Sequence, residues 1–253
     1  MTTLYTPIML GQGTYGHVTV SENGRCVKTL APEWRPDPQC VRMIANEYYW
    51  LSELNHPNIV PVLGYDSKCP SFEMPMLGPD VGKLIVHGGG SLLSLRQLRN
   101  LQGAVVELFK HSLTHLDIKP ENLLVDGKEF VFIDLGLSET KGTLVDPESV
   151  VTPGYRAPEH MGDKLRACTS LDVFALGVVA LEMVVRRRLY AEFKACAGSV
   201  ICMQLLRDRL LREVADADMR SAIAAMLQID VQQRHMSLVT RGRSTAEVGF
   251  ASD

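Results

Sequence analysis

Apolar and polar residues change rhythm partway along this chain, and the change divides it into two regions. Up to about residue 80, apolar positions come in short runs separated by turn-forming residues. Residues 7–10 can lead into a glycine-rich stretch and residues 17–20 can leave it. Ser21-Glu22-Asn23-Gly24 then turns the chain into a third strand over 25–30. After Pro32, Pro36 and Pro38, residues 40–54 carry apolar side chains at three- and four-residue intervals, which predicts a helix ended by His56-Pro57-Asn58. Runs at 60–63 and 72–76 predict two more strands. Residues 1–76 should therefore fold as a small antiparallel sheet with one main helix.

Gly78, Pro79 and Gly82 mark a crossing, and Gly88-Gly89-Gly90 reads as a flexible turn or insertion. From about 80 to 240 the pattern is mainly helical, with helices predicted over 92–109, 171–185, 201–214 and 217–227. One hairpin interrupts it, where 123–125 and 130–133 flank Asp126-Gly127. Residues 241–253 read as a loose tail. The expected fold is α+β, in two lobes, without an internal repeat.

Composition excludes several classes. The chain has 253 residues, 46% of them hydrophobic, so it can bury a substantial core and is not broadly disordered. A formal charge of -3 gives no sign of a nucleic-acid-binding surface. The most apolar later stretch, 173–185, contains Glu182 and is short for a bilayer span. The N-terminus lacks the basic segment and apolar run of a secretory signal. An intracellular protein is expected, cytoplasmic or nuclear, without a membrane partner. Cys26, Cys40, Cys69, Cys168, Cys196 and Cys202 lack paired metal-ligand spacing and read as reduced, packed thiols. Arg186-Arg187-Arg188 reads as a solvated cluster favoured by a helix C-terminus, with a basic docking or import patch as the alternative.

The candidate chemistry lies at two places. Gly11, Gly13 and Gly16 permit close backbone approach to phosphates, because no Cβ blocks the oxygens. A dinucleotide fold would want a helix next, but His17-Val18-Thr19-Val20 looks extended, and no Lys-Ser or Lys-Thr pair closes a Walker loop. Strand-loop-strand is the better reading. Lys28 then stands where it can neutralise phosphates, with Glu47 on the following helix as its partner; Glu53 is the competitor, less well centred. Farther on, His115-Leu116-Asp117-Ile118-Lys119-Pro120-Glu121-Asn122 precedes Asp134-Leu135-Gly136 by one hairpin. Asp117 can take a proton from a substrate hydroxyl, and Lys119 can screen a transferring phosphate. Asn122 and Asp134 offer oxygen ligands to magnesium, the hard cation expected with ATP.

These motifs resemble those of the eukaryotic-type protein kinases, from about Ile8 to Ser237. Gly11-x-Gly13-x-x-Gly16-x-Val18 resembles the nucleotide lid, Lys28 the third-strand lysine, and Glu47 its helical partner. The stretch from His115 to Asn122 resembles the catalytic loop, Asp134-Leu135-Gly136 the magnesium motif, and Ala157-Pro158-Glu159 the end of the activation segment. The resemblance implies that Asp172 braces the catalytic loop and that Arg234 pairs with Glu159. It implies a bilobal protein-kinase-like fold with lobes at about 1–76 and 80–240. It also implies ATP and magnesium as cofactors and protein substrates with serine or threonine acceptors, since Lys119 and Thr152 follow the serine/threonine pattern. Over 74–80, one alignment makes Met74 the gatekeeper and Leu77 the backbone contact to adenine. A shifted one puts Phe72 at the gate and Pro75, which has no N–H, at the contact. The first is preferred.

The chain departs from the family pattern at several positions. Leu116 replaces an arginine that normally reads a phosphate on the activation segment, so control by phosphorylation there is not expected, although Thr143 and Ser149 are candidate modification sites. Leu135 replaces a common phenylalanine. Short segments before Lys28 and His115 suggest a trimmed, divergent member, with a virus acting in its host cell as one candidate source. An active serine/threonine kinase is the leading expectation, a monomer with an activating or docking protein as a candidate partner. A pseudokinase scaffold and a small-molecule kinase are the alternatives.

Overall fold

The computed structural model describes residues 8–13, 15–86, 90–146, 152–161, 165–239 and 245–249. Strands β1 (Ile8–Gln12), β2 (Gly16–Val20), β3 (Cys26–Leu30), β4 (Gly64–Asp66) and β5 (Ser71–Met74) form one antiparallel sheet in the order β1-β2-β3-β5-β4. Gly24, at φ 71°, makes the tight β2–β3 turn that Asn23-Gly24 predicts. The register sets Val18 opposite Lys28, Lys28 opposite Phe72, and Cys26 opposite Met74. Helix α1 (Pro38–Glu53) begins two residues before the expected start: Asp37 caps it by accepting from the Gln39 N–H, and Pro38 suits the first turn. It buries Cys40, Ile44, Glu47 and Leu51, one face at three- and four-residue spacing.

The strand expected over 60–63 is displaced to Gly64–Asp66. The residues before it tie the lobes together instead. Asn58 Nδ2 donates to the Phe130 carbonyl at 2.8 Å, and the Val60 N–H donates to the Phe132 carbonyl at 3.0 Å. A strand-like apolar run was thus used as an inter-lobe seam, because buried backbone groups at the junction had to be paired. At the crossing, the Gly78 N–H donates to the Val125 carbonyl at 2.7 Å. A Cβ on Gly78 would lie 3.0 Å from that oxygen, so glycine permits this approach.

The second lobe is built on α2 (Val81–Ile85), α3 (Leu95–Lys110), α4 (Thr169–Val185), α5 (Tyr190–Cys196), α6 (Val200–Leu211) and α7 (Ala217–Met226). Ser94 and Gln97 form a reciprocal capping box that starts α3 three residues later than expected. Residues 169–183 of α4 are all buried, as an apolar sequence without a polar face requires. A Cβ at Gly177 would meet Leu227 at 2.9 Å, so this glycine lets α4 and the end of α7 close on each other. Short strands β6 (Leu113–Thr114), β7 (Leu123–Asp126), β8 (Glu129–Phe132) and β9 (Glu139–Thr140) frame the loop bearing Asp117. β7 and β8 pair through the predicted hairpin, with Asp126 inside the strand and Gly127, at φ 58°, in the turn.

Two expectations are corrected. Cys196 and Cys202 are joined in a disulfide, not reduced: α5 ends at the first and α6 begins just before the second, and the turn brings their Cα atoms to 5.3 Å. The arginine triplet lies at the end of α4 as expected, partly exposed and tied down by ion pairs. Arg186 caps α4 in the left-handed conformation, Arg187 pairs with Glu192 and Glu213, and Arg188 pairs with Glu121. Residues 245–249, within the expected loose tail, form β13 (Thr245–Gly249) on β12 (His235–Val239). Helix α5 was not anticipated, being only seven residues long. Among the described residues no helix is long and apolar enough to cross a membrane. Of the expected glycine turn, residues 88 and 89 lie outside the described residues, as does Ser149.

Candidate active site

A cavity of about 590 Å³ opens between the lobes, and the glycine stretch, Lys28, Glu47, Asp117, Asn122 and Asp134 all line it. The three glycines differ in why they are glycines. A Cβ on Gly16 would come within 2.4 Å of the Thr29 carbonyl oxygen, so packing of β2 on β3 excludes a side chain. A Cβ on Gly11 would meet nothing within 4 Å, leaving space for a ligand's approach. The Gly13 N–H closes the turn on the Gly16 carbonyl at 2.8 Å, and Val18 packs against the core from β2.

Beneath this lid Lys28 is shared by two carboxylates. Its Nζ lies 2.8 Å from Glu47 Oε1 and 2.8 Å from Asp134 Oδ1. The competitor Glu53 is exposed at the end of α1. Burial opposes the charge on Lys28, but the two carboxylates outweigh it and raise its pKa. Burial pushes Glu47, only 3% exposed, up to about 7, against the pull of Lys28. Burial also disfavours ionised Asp134, yet Lys28 and the Gly136 N–H prevail and lower it to about 2. Asp134 takes φ 66°, while Leu135 turns into the core.

The second cluster surrounds Asp117. Its Oδ1 accepts from the Thr152 hydroxyl at 2.8 Å, and its Oδ2 accepts from Lys119 Nζ at 2.6 Å and Asn122 Nδ2 at 2.9 Å. Asn122 Nδ2 also donates to the Asp117 carbonyl at 2.9 Å, which fixes the amide. Asn122 and Asp134 both line the cavity, and a carboxylate beside an amide oxygen fits magnesium, which usually takes one or two side-chain ligands and completes its octahedron with water and phosphate. Among the described residues no group of three or more His, Cys, Asp or Glu side chains could hold a metal unaided.

The shape of the loop bearing Asp117 depends on Asp172. Its carboxylate accepts from the His115 N–H at 2.7 Å and the Leu116 N–H at 3.0 Å. Leu116 sits at φ 65°, a left-handed conformation that costs a side-chain-bearing residue about 1–2 kcal/mol. Its side chain is apolar and buried at 2% exposure, and so offers no charge to residues 134–159. That segment is held by backbone pairing instead: β10 (Leu144–Val145) on β11 (Leu165–Arg166), with Arg166 donating to the Gly142 carbonyl at 2.9 Å. Thr143 is half-buried, with its N–H and carbonyl both in backbone hydrogen bonds. Arg234, fully buried, grips Glu159 with both terminal nitrogens and lies 5.0 Å from the Phe174 ring.

At the crossing, Met74 and Phe72 both line the cavity, whereas Leu77 does not. The Leu77 backbone amide hydrogen-bonds the Cys26 thiol, whose pKa burial raises. Sequence reasoning found the residues of the two charged clusters but missed the Thr152 contact to Asp117 and a rim group of Glu121, Tyr155, Glu182 and Arg188. No local spacing announces either, since Thr152 lies 35 residues from Asp117 and Arg188 lies 67 from Glu121 and 33 from Tyr155.

The bilobal fold, with its five-stranded sheet, one main helix and largely helical second lobe, is that of a protein kinase. The family described as protein kinase domain matches residues 7–239, and the chain belongs to it. It is also 31% identical over 191 residues to sucrose non-fermenting protein kinase 1 of Fusarium virguliforme, a match covering 70% of this chain and 27% of that protein. The chain thus matches about a quarter of the length of this curated relative.

Proposed function

We propose that this chain is a serine/threonine protein kinase that transfers the γ-phosphoryl group of ATP to protein hydroxyls. The carrying observation is the convergence of Lys28, Asp117, Lys119, Asn122 and Asp134 on one cavity, with Asp117 already holding a hydroxyl, that of Thr152. In this reading Gly11 and Gly13 admit the phosphates, Lys28 holds them, and Glu47 holds Lys28. Met74, which lines the cavity, stands at the gate beside the adenine, whereas Leu77, the expected backbone contact, lies outside the lining. The acceptor oxygen forms a bond to γ-phosphorus as the bond from phosphorus to the bridging oxygen breaks, its electron pair leaving with ADP. The acceptor's proton passes to Asp117, while Lys119 offsets charge on the transferring group. Asn122 and Asp134 would hold magnesium, which supplies neutralisation of phosphate charge when bound with ATP. Leu116 and the backbone-tied activation segment support activity without a phosphate on that segment.

The test is magnesium-dependent transfer from labelled ATP to serine, threonine and tyrosine peptides, beside Asp117→Asn. Transfer to serine or threonine should fall by about 10²–10⁴-fold in the variant. Equal rates in both would sink the assignment of the base. Measurable ATP binding without transfer would favour the scaffold reading.

A further inference from the structure

Glu121 stands at the mouth of the same cavity as Asp117, in the short 3-10 turn that also carries Asn122. Behind it, Glu182 is fully buried on α4 and the Tyr155 hydroxyl donates to it at 3.0 Å. The Glu121 carboxylate at the mouth, with the buried Glu182 carboxylate and Tyr155 hydroxyl behind it, makes an acceptor set suited to a guanidinium, whose planar fork matches such groups. The chain fills this place itself. Arg188 donates to Glu121 Oε1 at 2.7 Å and to the Tyr155 hydroxyl at 2.9 Å, and its Nε lies 3.6 Å from Glu182 Oε1. The guanidinium is anchored, not draped on the surface: Arg186 caps α4 just before it, and the Leu189 N–H just after it donates to Glu182 at 2.6 Å. A Cβ on Gly82 would come within about 3 Å of Arg188, Asp80 and Glu121 together, so the α2 side of the group is closely packed as well.

Resting on the protein-kinase reading above, we propose that Arg188 is a built-in occupant of an acidic substrate subsite. The chain accordingly phosphorylates peptides whose residue at this subsite is uncharged, and does not select a basic one. An arginine tethered two residues from its own helix cap competes at an effective concentration of millimolar or more, which a dilute peptide side chain does not match. Glu121 is spent on Arg188, so a substrate arginine gains no carboxylate there. Asp80, the other acidic residue on this rim, is paired as well, with Lys83 at 2.8 Å.

The experiment scans alanine, arginine and glutamate at each position flanking a serine acceptor. It uses wild type, Arg188→Ala, Glu121→Gln and the double variant. In wild type, kcat/KM for arginine over alanine should stay within about threefold at the position that Arg188→Ala makes selective. Arg188→Ala should gain about tenfold for arginine at that position, as a newly available charged hydrogen bond allows, and the double variant should lose the gain. Glu121→Gln alone should leave the wild-type ratio unmoved. A wild-type preference for arginine that Glu121→Gln removes, or an Arg188→Ala protein without any new preference, would overturn the proposal. If Arg188→Ala fails to fold, the Glu121→Gln comparison still decides. The same ratios are read by equilibrium binding of labelled peptides with alanine at the acceptor position. Selective binding without phosphate transfer would sustain the subsite while the catalytic reading fails. Transfer with unmoved ratios would do the reverse.

Discussion

Two aspartates of this molecule have opposite surroundings. Asp134, at the cavity, is 42% exposed, meets Lys28 at 2.8 Å and has its pKa lowered to about 2. Asp172, beneath the loop bearing Asp117, is 1% exposed, accepts from two backbone N–H groups, and burial raises it to about 6. Asp134 is ionised at little cost and lines the cavity. Asp172 is charged at neutral pH at a cost of roughly 3 kcal/mol, each pH unit of displacement being worth about 1.4 kcal/mol. The chain bears that cost because two parallel N–H groups, one of them on the left-handed Leu116, need an acceptor in the interior. A charged residue at a site thus acts either on a ligand or on the shape of the loop that presents another residue.

The largest expected effect separates the two directly. Asp134→Asn should lower phosphoryl transfer by about 10²-fold or more, since it removes a charge where phosphate is held. Its urea midpoint should fall less than that of Asp172→Asn, because Lys28 keeps Glu47. Unchanged transfer would remove Asp134 from the proposed metal site. Asp172→Asn should lose both properties, with about 1–3 kcal/mol of stability gone in denaturant titration as one buried N–H loses its acceptor. A fully stable but inactive Asp172→Asn would make the two aspartates alike and break the contrast.

The pH dependence of stability sharpens it further. Asp172 and Glu47 have folded pKa values above their ordinary 3.8 and 4.5, at about 6 and about 7. The folded chain therefore binds protons that the unfolded chain has released, and their contribution falls as pH rises through that window. Asp134 has the opposite sign, its contribution growing as pH rises from about 2 toward its ordinary 3.8. Thermal melts between pH 4.5 and 7.5 should show decreasing midpoints. Asp172→Asn should flatten the portion below about pH 6, and Glu47→Gln the portion that continues to about 7. Identical slopes in all three proteins would show that neither carboxyl is raised.

The smallest effect expected concerns the lid. Gly11→Ala should cost at most about 1 kcal/mol, because its Cβ enters open space, whereas Gly16→Ala forces β2 off the Thr29 carbonyl and should cost more. Equal midpoints for the two would refute a packing role for Gly16.

Much of the site was legible because its chemistry is local along the chain. Asp117, Lys119 and Asn122 lie on one turn, and a hairpin set by Asp126-Gly127 returns the chain to Asp134. The helix around Glu47 was likewise legible, since its three- and four-residue spacing carries its own face. Less legible were features decided by competition for a place. The run at 60–63 has strand character, but the lobe junction needed its backbone groups, so the strand formed beyond it.

By itself the sequence determined the order of glycine stretch, lysine, helix, Asp117 loop and Asp134 turn, together with the two-lobe division, because turn chemistry and apolar period act over a few residues. Only the tertiary structure decided that Lys28 is shared between Glu47 and Asp134, that Thr152 bonds Asp117, that Cys196 joins Cys202, and that Arg188 fills the acidic rim. Those contacts, apart from the disulfide, join residues 19 to 106 positions apart, and which charge finds which partner depends on how the helices and sheet pack, a choice that no short stretch of chain contains.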